Sequence, residues 1–258
     1  MIDYYPSLSI VIITYNGATL VDRLMSSLQS LLDTNNDIEI IVVDNCSTDS
    51  TNYILGKWQN LLGSQLEVIC SDRNLGVAGG RSLGVSKATG KLIMFLDNDT
   101  IVTSEAILQL KSHIESHPNC GVVAPALRSP QGELQDSAKP FPGIAVKLSN
   151  ILCGNKQKIV NYGSDDVLHP YYVIGACQLF RHSTYDNIGG LDTRIFYGPE
   201  DADFCERIRQ IGLTVDYLQN VTIIHEWQRA TRRKLFSKLS FKHLQGLILF
   251  YIKHRRCM

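Results

Sequence analysis

The sequence predicts an α/β protein: a Rossmann-like, mostly parallel central sheet with helices on both faces, followed by basic C-terminal helices. Three observations carry that expectation. Nearly continuous β-branched runs alternate with segments of helical periodicity, as they must where strands are covered on both faces. Each run stops abruptly on polar residues, and in doubly wound sheets ligands sit at those carboxyl ends. The last stretch gathers positive charge without a single acid.

The elements follow in order. Leu-Ser-Ile-Val-Ile-Ile-Thr, residues 8–14, reads as a buried strand, and Leu20, Leu24, Leu28 and Leu31 then form a stripe that would cover it. Residues 38–43 read as a second strand ending on Asp44 and Asn45. Ser47-Thr-Asp-Ser50 is a helix-start signal, with Ser47 and Asp49 as capping residues, before a helix carrying Ile54, Trp58 and Leu61 on one face. A short strand at 66–70 precedes Asn74-Leu-Gly-Val-Ala-Gly-Gly-Arg81, which opens another helix. The apolar run from Leu92 closes the unit on Asp97-Asn98-Asp99.

After a helix at 104–117, residues 124–170 hold Pro125, Pro130, Pro140 and Pro142 and read as a long irregular connection. Regular structure resumes at 173–181. A helix from about Glu200 to Ile211 should end at Gly212, a left-handed cap, with strands at 213–217 and 221–225 behind it.

The 258 residues carry 25 Lys+Arg and 25 Asp+Glu, but not evenly. Nine of the basic residues and no acid fall in 227–258, leaving 16 basic residues against 25 acids in the rest. That tail suits an anionic partner. Its apolar residues, among them Phe241, Leu244, Ile248 and Phe250, suit one or two amphipathic helices on an anionic membrane surface; a hairpin packed on the domain or on a second subunit, a homodimer, is the alternative. Seven cysteines with no C-x-x-C pair fit a reduced, cytoplasmic setting. No signal-peptide pattern opens the chain, no apolar run approaches the roughly 18 residues of a spanning helix, and no nucleic-acid partner is expected.

Several clusters could carry chemistry. Asp97 and Asp99, two carboxylates at a strand end, can present oxygen to one Mg²⁺ or Mn²⁺ that grips a diphosphate; an Asx turn is the plain alternative. Asp44 can accept hydrogen bonds from a ribose or a base. The glycines of 74–81 allow a ligand close to the backbone at a helix mouth, or simply tight packing on the sheet; Arg73 and Arg81 can meet ribose or phosphate or stay solvated. Glu200, Asp201 and Asp203 sit where a helix dipole favours acids. Glu200 and Asp201 point different ways, so at most one acts as base toward a given substrate, while Asp203 is placed to pair with Arg207. His225 ends a strand, and a lone histidine there is structural or a ligand.

Ser9-Ile-Val-Ile-Ile-Thr-Tyr-Asn16, Val-Val-Asp44-Asn-Cys-Ser-Thr-Asp49, Asn74 to Arg81, Phe-Leu-Asp97-Asn-Asp99, and Gly198-Pro-Glu-Asp201-Ala-Asp-Phe-Cys-Glu-Arg207 with Ile-Ile-His225 occur in one order. Together they closely resemble the family 2 glycosyltransferases of the GT-A fold, and among them the bacterial rhamnosyltransferase-like and galactofuranosyltransferase-like members. Two departures are Ser82, where relatives often carry Asn, and Pro199 close before the acids. The resemblance implies that Thr14, Tyr15 and Asn16 line the base, Asp44 binds base or ribose, and Asn74, Gly76 and Arg81 flank the nucleotide. Asp97 and Asp99 match the D-x-D pair, with Asp97 also near the ribose. Asp201, with Glu200 beside it, matches the general base, and His225 a histidine that completes the metal shell in some relatives.

What the resemblance implies is an inverting, metal-dependent transferase. It would move a sugar from a UDP- or dTDP-sugar, rhamnose among the candidates, to a saccharide or lipid-linked acceptor during cell-surface polysaccharide synthesis. Residues 1–226 would form the transfer domain, its nucleotide half about 1–120 and its acceptor half about 121–226, with 227–258 as tail. The protein would work in the cytoplasm or peripherally on the inner face of the cell membrane. A sugar nucleotidyltransferase would want a basic Gly-rich loop after the first strand, which Thr14-Tyr-Asn-Gly17 lacks. A non-catalytic binding subunit would have no use for the full set of acids.

Overall fold

The computed structural model describes residues 6–141, 165–226 and 238–254. In chain order the strands are β1 (Leu8–Thr14), β2 (Ile38–Asp44), β3 (Leu66–Cys70), β4 (Leu92–Asp97), β5 (Thr100–Ile101), β6 (Cys120–Arg128), β7 (Ala138–Lys139), β8 (Val167–Leu168), β9 (Tyr172–Val173), β10 (Cys177–Arg181) and β11 (Thr214–His225). The helices are α1 (Ala18–Thr34), α2 (Thr51–Leu62), α3 (Gly76–Val85), α4 (Ser104–Ser116), α5 (His182–Asn187), α6 (Glu200–Gln210) and α7 (Lys238–Lys253). The main sheet runs β3-β2-β1-β4-β10-β6-β11-β5 with β8 on β11, and β7 pairs with β9 apart from it.

Alternation along the strands builds two cores. Leu8, Ile10 and Ile12 of β1 join Leu24, Leu28 and Leu31 of α1 on one face. Val11, Ile93 and Phe95 point the other way, toward Phe180, Phe204 and Ile208. There the rings of Phe95 and Phe204 each meet Phe180 edge-on, at 4.8 and 4.9 Å, a favoured aromatic geometry. A Cβ on Gly80 would come within 3.1 Å of Ile13, and one on Gly84 would overlap Val11. These two glycines therefore serve close packing of α3 on the sheet.

Topology brings the chain's two halves to one edge. β1 is parallel to β2 and β4. β10 is antiparallel to both β4 and β6, and β6 is parallel to β11, so β11 runs with β4. Thr14, Asp44, Asp97 and His225 accordingly all end strands on the same side. The short β5 then doubles back, pairing Thr100 with His225, and Glu226 donates its backbone N–H to Asp99 at 2.9 Å.

Some local expectations are corrected. β6 continues to Arg128 through Pro125, where irregularity was expected; its ladder with β11 is broken between Leu218 and Thr222, so the missing proline N–H is tolerated. The two strands expected at 213–217 and 221–225 are one strand with that irregularity. The regular structure expected at 173–181 is two strands, β9 and β10. Ser47 does not cap α2: its Oγ accepts from the Asn16 N–H at 2.8 Å, and Asp49 takes the Thr51 N–H instead at 3.0 Å. Gly212, at φ +82, ends α6 as expected. Residues 142–164, 227–237 and 255–258, and with them Cys153, Cys257 and most of the tail's charges, lie outside the described residues.

Candidate active site

A cavity of about 720 Å³ opens at the shared strand edge. One side of it is the first half's contribution. Thr14, Tyr15, Asn16, Asn74 and Gly76 are on the wall. Asn98 donates to the Thr14 hydroxyl at 2.9 Å. Asn16 sits at φ +49, a left-handed conformation asparagine tolerates, and its side-chain oxygen accepts the Thr48 N–H at 2.7 Å. Gly76, at φ +73, packs against the Phe196 carbonyl, where a Cβ would overlap; the next residue, Val77, donates to that carbonyl at 2.8 Å.

Asp44 lies behind this wall rather than on it. It is buried, with one oxygen accepting from the Ser47 N–H at 3.1 Å. The other oxygen has no hydrogen-bond partner, an arrangement that costs free energy unless a donor arrives. Its neighbour Asn45 takes the wall position. Asn45 accepts the Leu75 N–H at 2.8 Å and donates to the Gly76 carbonyl at 3.1 Å, fastening the start of α3 to the end of β2.

Asp97, Asp99 and His225 converge so that one ligand atom from each lies within 4.8 Å of the others. Two hard carboxylates and an imidazole are a donor set suited to Mn²⁺ or Mg²⁺. Arg81 is not solvated: it is buried, its Nη2 bonded at 2.6 Å both to Asp97 and to the Gly175 carbonyl. Arg73 is exposed and off the wall. The His225 Nε2 is 3.4 Å from Asp99. Burial opposes a charge on His225, but the hydrogen bond and charge of Asp99 outweigh it and raise the imidazole's pKa.

Gln135 holds His225 from behind. Its side-chain N–H donates to the His225 carbonyl at 2.7 Å, and its oxygen lies 2.7 Å from the ring Nδ1. The carbonyl can only accept, which orients the amide, and the amide oxygen can only accept, so Nδ1 carries hydrogen. Nε2 is thereby turned toward Asp99.

Opposite stand the acids of α6. Glu200 and Asp201 both reach the cavity. The Glu200 carboxyl is buried, with Oε2 unpartnered, and burial together with the Asp201 charge pushes its pKa to about 7. Asp203 faces away and binds Arg207 at 2.8 Å, as its spacing predicts, and also His254 and Lys253 of the C-terminal segment, each at 2.8 Å. That anchor seats α7 so that Leu239 and His243 close one side of the cavity.

Of the twelve residues to which the family resemblance gives a role, eleven line one cavity and Asp44 lies just behind it. Asn45 is on the wall, at a strand end where the crevice was expected; sequence reasoning missed Gln135, Leu239 and His243. Gln135 falls in the stretch expected to be irregular, and the two α7 residues belong to a tail read for its charge.

A curled sheet with helices on both sides, strand ends converging on a D-x-D pair, and a carboxylate facing it define a GT-A glycosyltransferase. Solved structures agree on the fold. The mannosyltransferase PcManGT of Pyrobaculum calidifontis, in complex with GDP-Man and Mn²⁺, superposes with a TM-score of 0.68 at 17% identity, over 98% of this chain and 65% of that one. TarS residues 1–349 of S. aureus with UDP-GlcNAc give 0.67 at 20% identity, over 95% and 66%; the chain thus spans slightly less than two thirds of either. The model of glycosyl transferase family 2 matches residues 9–189, and the chain belongs to that family. Among curated relatives, the N-acetylglucosaminyl-diphospho-decaprenol L-rhamnosyltransferase of Mycobacterium tuberculosis is 23% identical over 265 residues, 96% of this chain and 85% of the relative.

Proposed function

We propose that this glycosyltransferase is inverting and metal-dependent, moving a hexosyl-type sugar such as rhamnose from a UDP- or dTDP-sugar to a hydroxyl of a lipid-linked saccharide. The observation that carries the reading is one cavity holding the Asp97–Asp99–His225 group and Asp201 together. Tyr15, Asn16 and Asn74 flank the nucleotide. Asp44 accepts from the base or ribose, a role its unpartnered oxygen supports. Asp97, Asp99 and His225 would hold Mg²⁺ or Mn²⁺, which when bound supplies positive charge to the departing diphosphate.

Asp201 takes the proton of the acceptor hydroxyl. The acceptor oxygen forms its bond to the donor's anomeric carbon from the face opposite the nucleotide, while the bond from that carbon to the diphosphate oxygen breaks. One displacement inverts the configuration, and the nucleoside diphosphate leaves with the bonding pair. Glu200, with its carboxyl pushed to about 7, stays partly neutral beside Asp201 and limits repulsion there. With a lipid-linked acceptor the enzyme would work at the inner face of the cell membrane; the relative named for a diphospho-decaprenol substrate supports the lipid-linked acceptor.

Screening nucleotide sugars for metal-dependent release of nucleoside diphosphate identifies the donor. With that donor, Asp201→Asn should lower transfer by about 10²–10⁴-fold while calorimetry shows nucleoside diphosphate still binding with Mn²⁺. Near wild-type transfer by Asp201→Asn would remove the base assignment.

A further inference from the structure

Helix α7 has two apolar faces, and among the described residues only one is packed against the fold. Inward, Phe250, Leu247 and His254 are buried, and Gly246 lies so close to the site loop that a Cβ would stand 2.6 Å from the Gly198 carbonyl. Outward, Phe241 is 61%, Leu244 52%, Ile248 51% and Ile252 54% exposed. At about 100° per residue these four fall within an arc of about 80°, centred nearly opposite Phe250. Isolated exposed apolar residues need no explanation, but a continuous stripe of four large ones along a helix marks a surface that meets something.

Charge says what it meets. The stretch 227–258 carries nine Lys or Arg and no Asp or Glu; within α7, Lys253 is held by Asp203 and Asp192 and Lys242 lies over the Phe196 ring, so the charge meant for a partner is that of the rest of the stretch. An apolar helix face in a stretch of sequence that is basic and has no acid is complementary to anionic lipid, where each basic residue near the surface adds roughly 1 kcal/mol of attraction. Position agrees as well. Leu239 and His243, on the inward side of the same helix, line the cavity. A surface lying on the outward stripe is therefore about one helix diameter, roughly 10 Å, from the cavity's acceptor side.

We propose that the outward face of α7, Phe241, Leu244, Ile248 and Ile252, docks on an anionic lipid bilayer and holds the cavity against the surface that presents its acceptor. The docking rests on the stripe and its charge; that it delivers an acceptor rests on the glycosyl-transfer reading.

The test uses the full chain and two vesicle populations, pure phosphatidylcholine and an equimolar mixture with phosphatidylglycerol. Wild-type protein should float with the anionic vesicles, bind pure phosphatidylcholine much less, and be partly released by added salt. The quadruple variant F241S/L244Q/I248Q/I252Q, and separately Ile248→Glu should the quadruple variant not fold, should lower anionic-vesicle binding at least about tenfold, what losing one buried large side chain amounts to. Both should keep metal-dependent donor hydrolysis in solution. Equal partition of the wild type between the two vesicle types, or variants that bind as it does, would overturn the proposal. So would variants that turn a dimer into a monomer by light scattering with vesicle binding intact, since the face would then belong to a second copy. A wild type that binds anionic vesicles but neither hydrolyses nor transfers any donor leaves the docking standing and removes the transfer reading.

Discussion

Replacing Gln135 by leucine keeps the side chain's bulk and deletes both bonds to His225, to its carbonyl and to its Nδ1, each 2.7 Å long. A net intramolecular hydrogen bond contributes about 0.5–1.5 kcal/mol, so His225 as a whole, backbone and ring together, loses about 1–3 kcal/mol of positioning interaction. Partners that fix a ligating histidine in this way cost about 10–100-fold in metal affinity when removed, or about 1.4–2.8 kcal/mol at 1.4 per tenfold; the two estimates agree. Titrating Mn²⁺ in the presence of nucleoside diphosphate, with free Mn²⁺ followed by its paramagnetic resonance signal, should show that weakening in Gln135→Leu. Gln135→Glu keeps an oxygen facing Nδ1 and should fall between the two. A folded Gln135→Leu protein that binds Mn²⁺ within about twofold of wild type, well below the range above, would refute the tautomer argument.

The remaining expectations concern the frame of the site. Gly76→Ala places a methyl on the Phe196 carbonyl at a residue with φ +73; it should cost about 1–3 kcal/mol and raise KM for the donor more than it lowers stability elsewhere, measurable by steady-state kinetics beside thermal unfolding. Burial alone would raise the Asp203 carboxyl, but the hydrogen bond from His254 and the charges of Arg207 and Lys253 outweigh it and hold it below the ordinary range. Its contribution is thus complete above the unfolded value of about 3.9 and fades as pH falls through the lower folded one, so proteolysis within 238–254 should accelerate only in that acid window. Asp203→Ala, which removes the buried carboxylate shared by Arg207, His254 and Lys253, should destabilise α7 by about 3–5 kcal/mol and make the same segment protease-sensitive at neutral pH.

Much of the fold could be read because its strands advertise themselves. Residues 8–14, 38–44 and 92–97 are apolar runs that end on polar residues, and their ends gather at one edge of the sheet. The Asp203–Arg207 pair and the Gly212 stop follow from local spacing and local backbone chemistry, which a single sequence displays. What stayed hidden depends on long-range register. Pro125 looks like a strand breaker until the irregular ladder beside Leu218 is known. Gln135 acquires meaning only once β11 delivers His225 beside it, and Asp44 falls behind the wall because Asn45, one residue later, faces the cavity. Ser47 and Asp49 carry capping chemistry, but Ser47 serves Asn16, across 31 residues, instead of its own helix.

The ion pair between Arg81 and Asp97 has a bearing on the order of events. With that arginine 2.6 Å from one of its two acids, the Asp97–Asp99–His225 group offers an incoming cation one uncompensated negative charge rather than two. Site affinity for such ions follows the number of charged ligands, so a bare divalent ion should be held loosely here. A diphosphate brings the missing charge with it. Cation and nucleotide should then arrive and depart as a pair, and the cavity would be reset after each transfer by losing both at once, a coupling visible as Mn²⁺ affinity that rises sharply when nucleoside diphosphate is added.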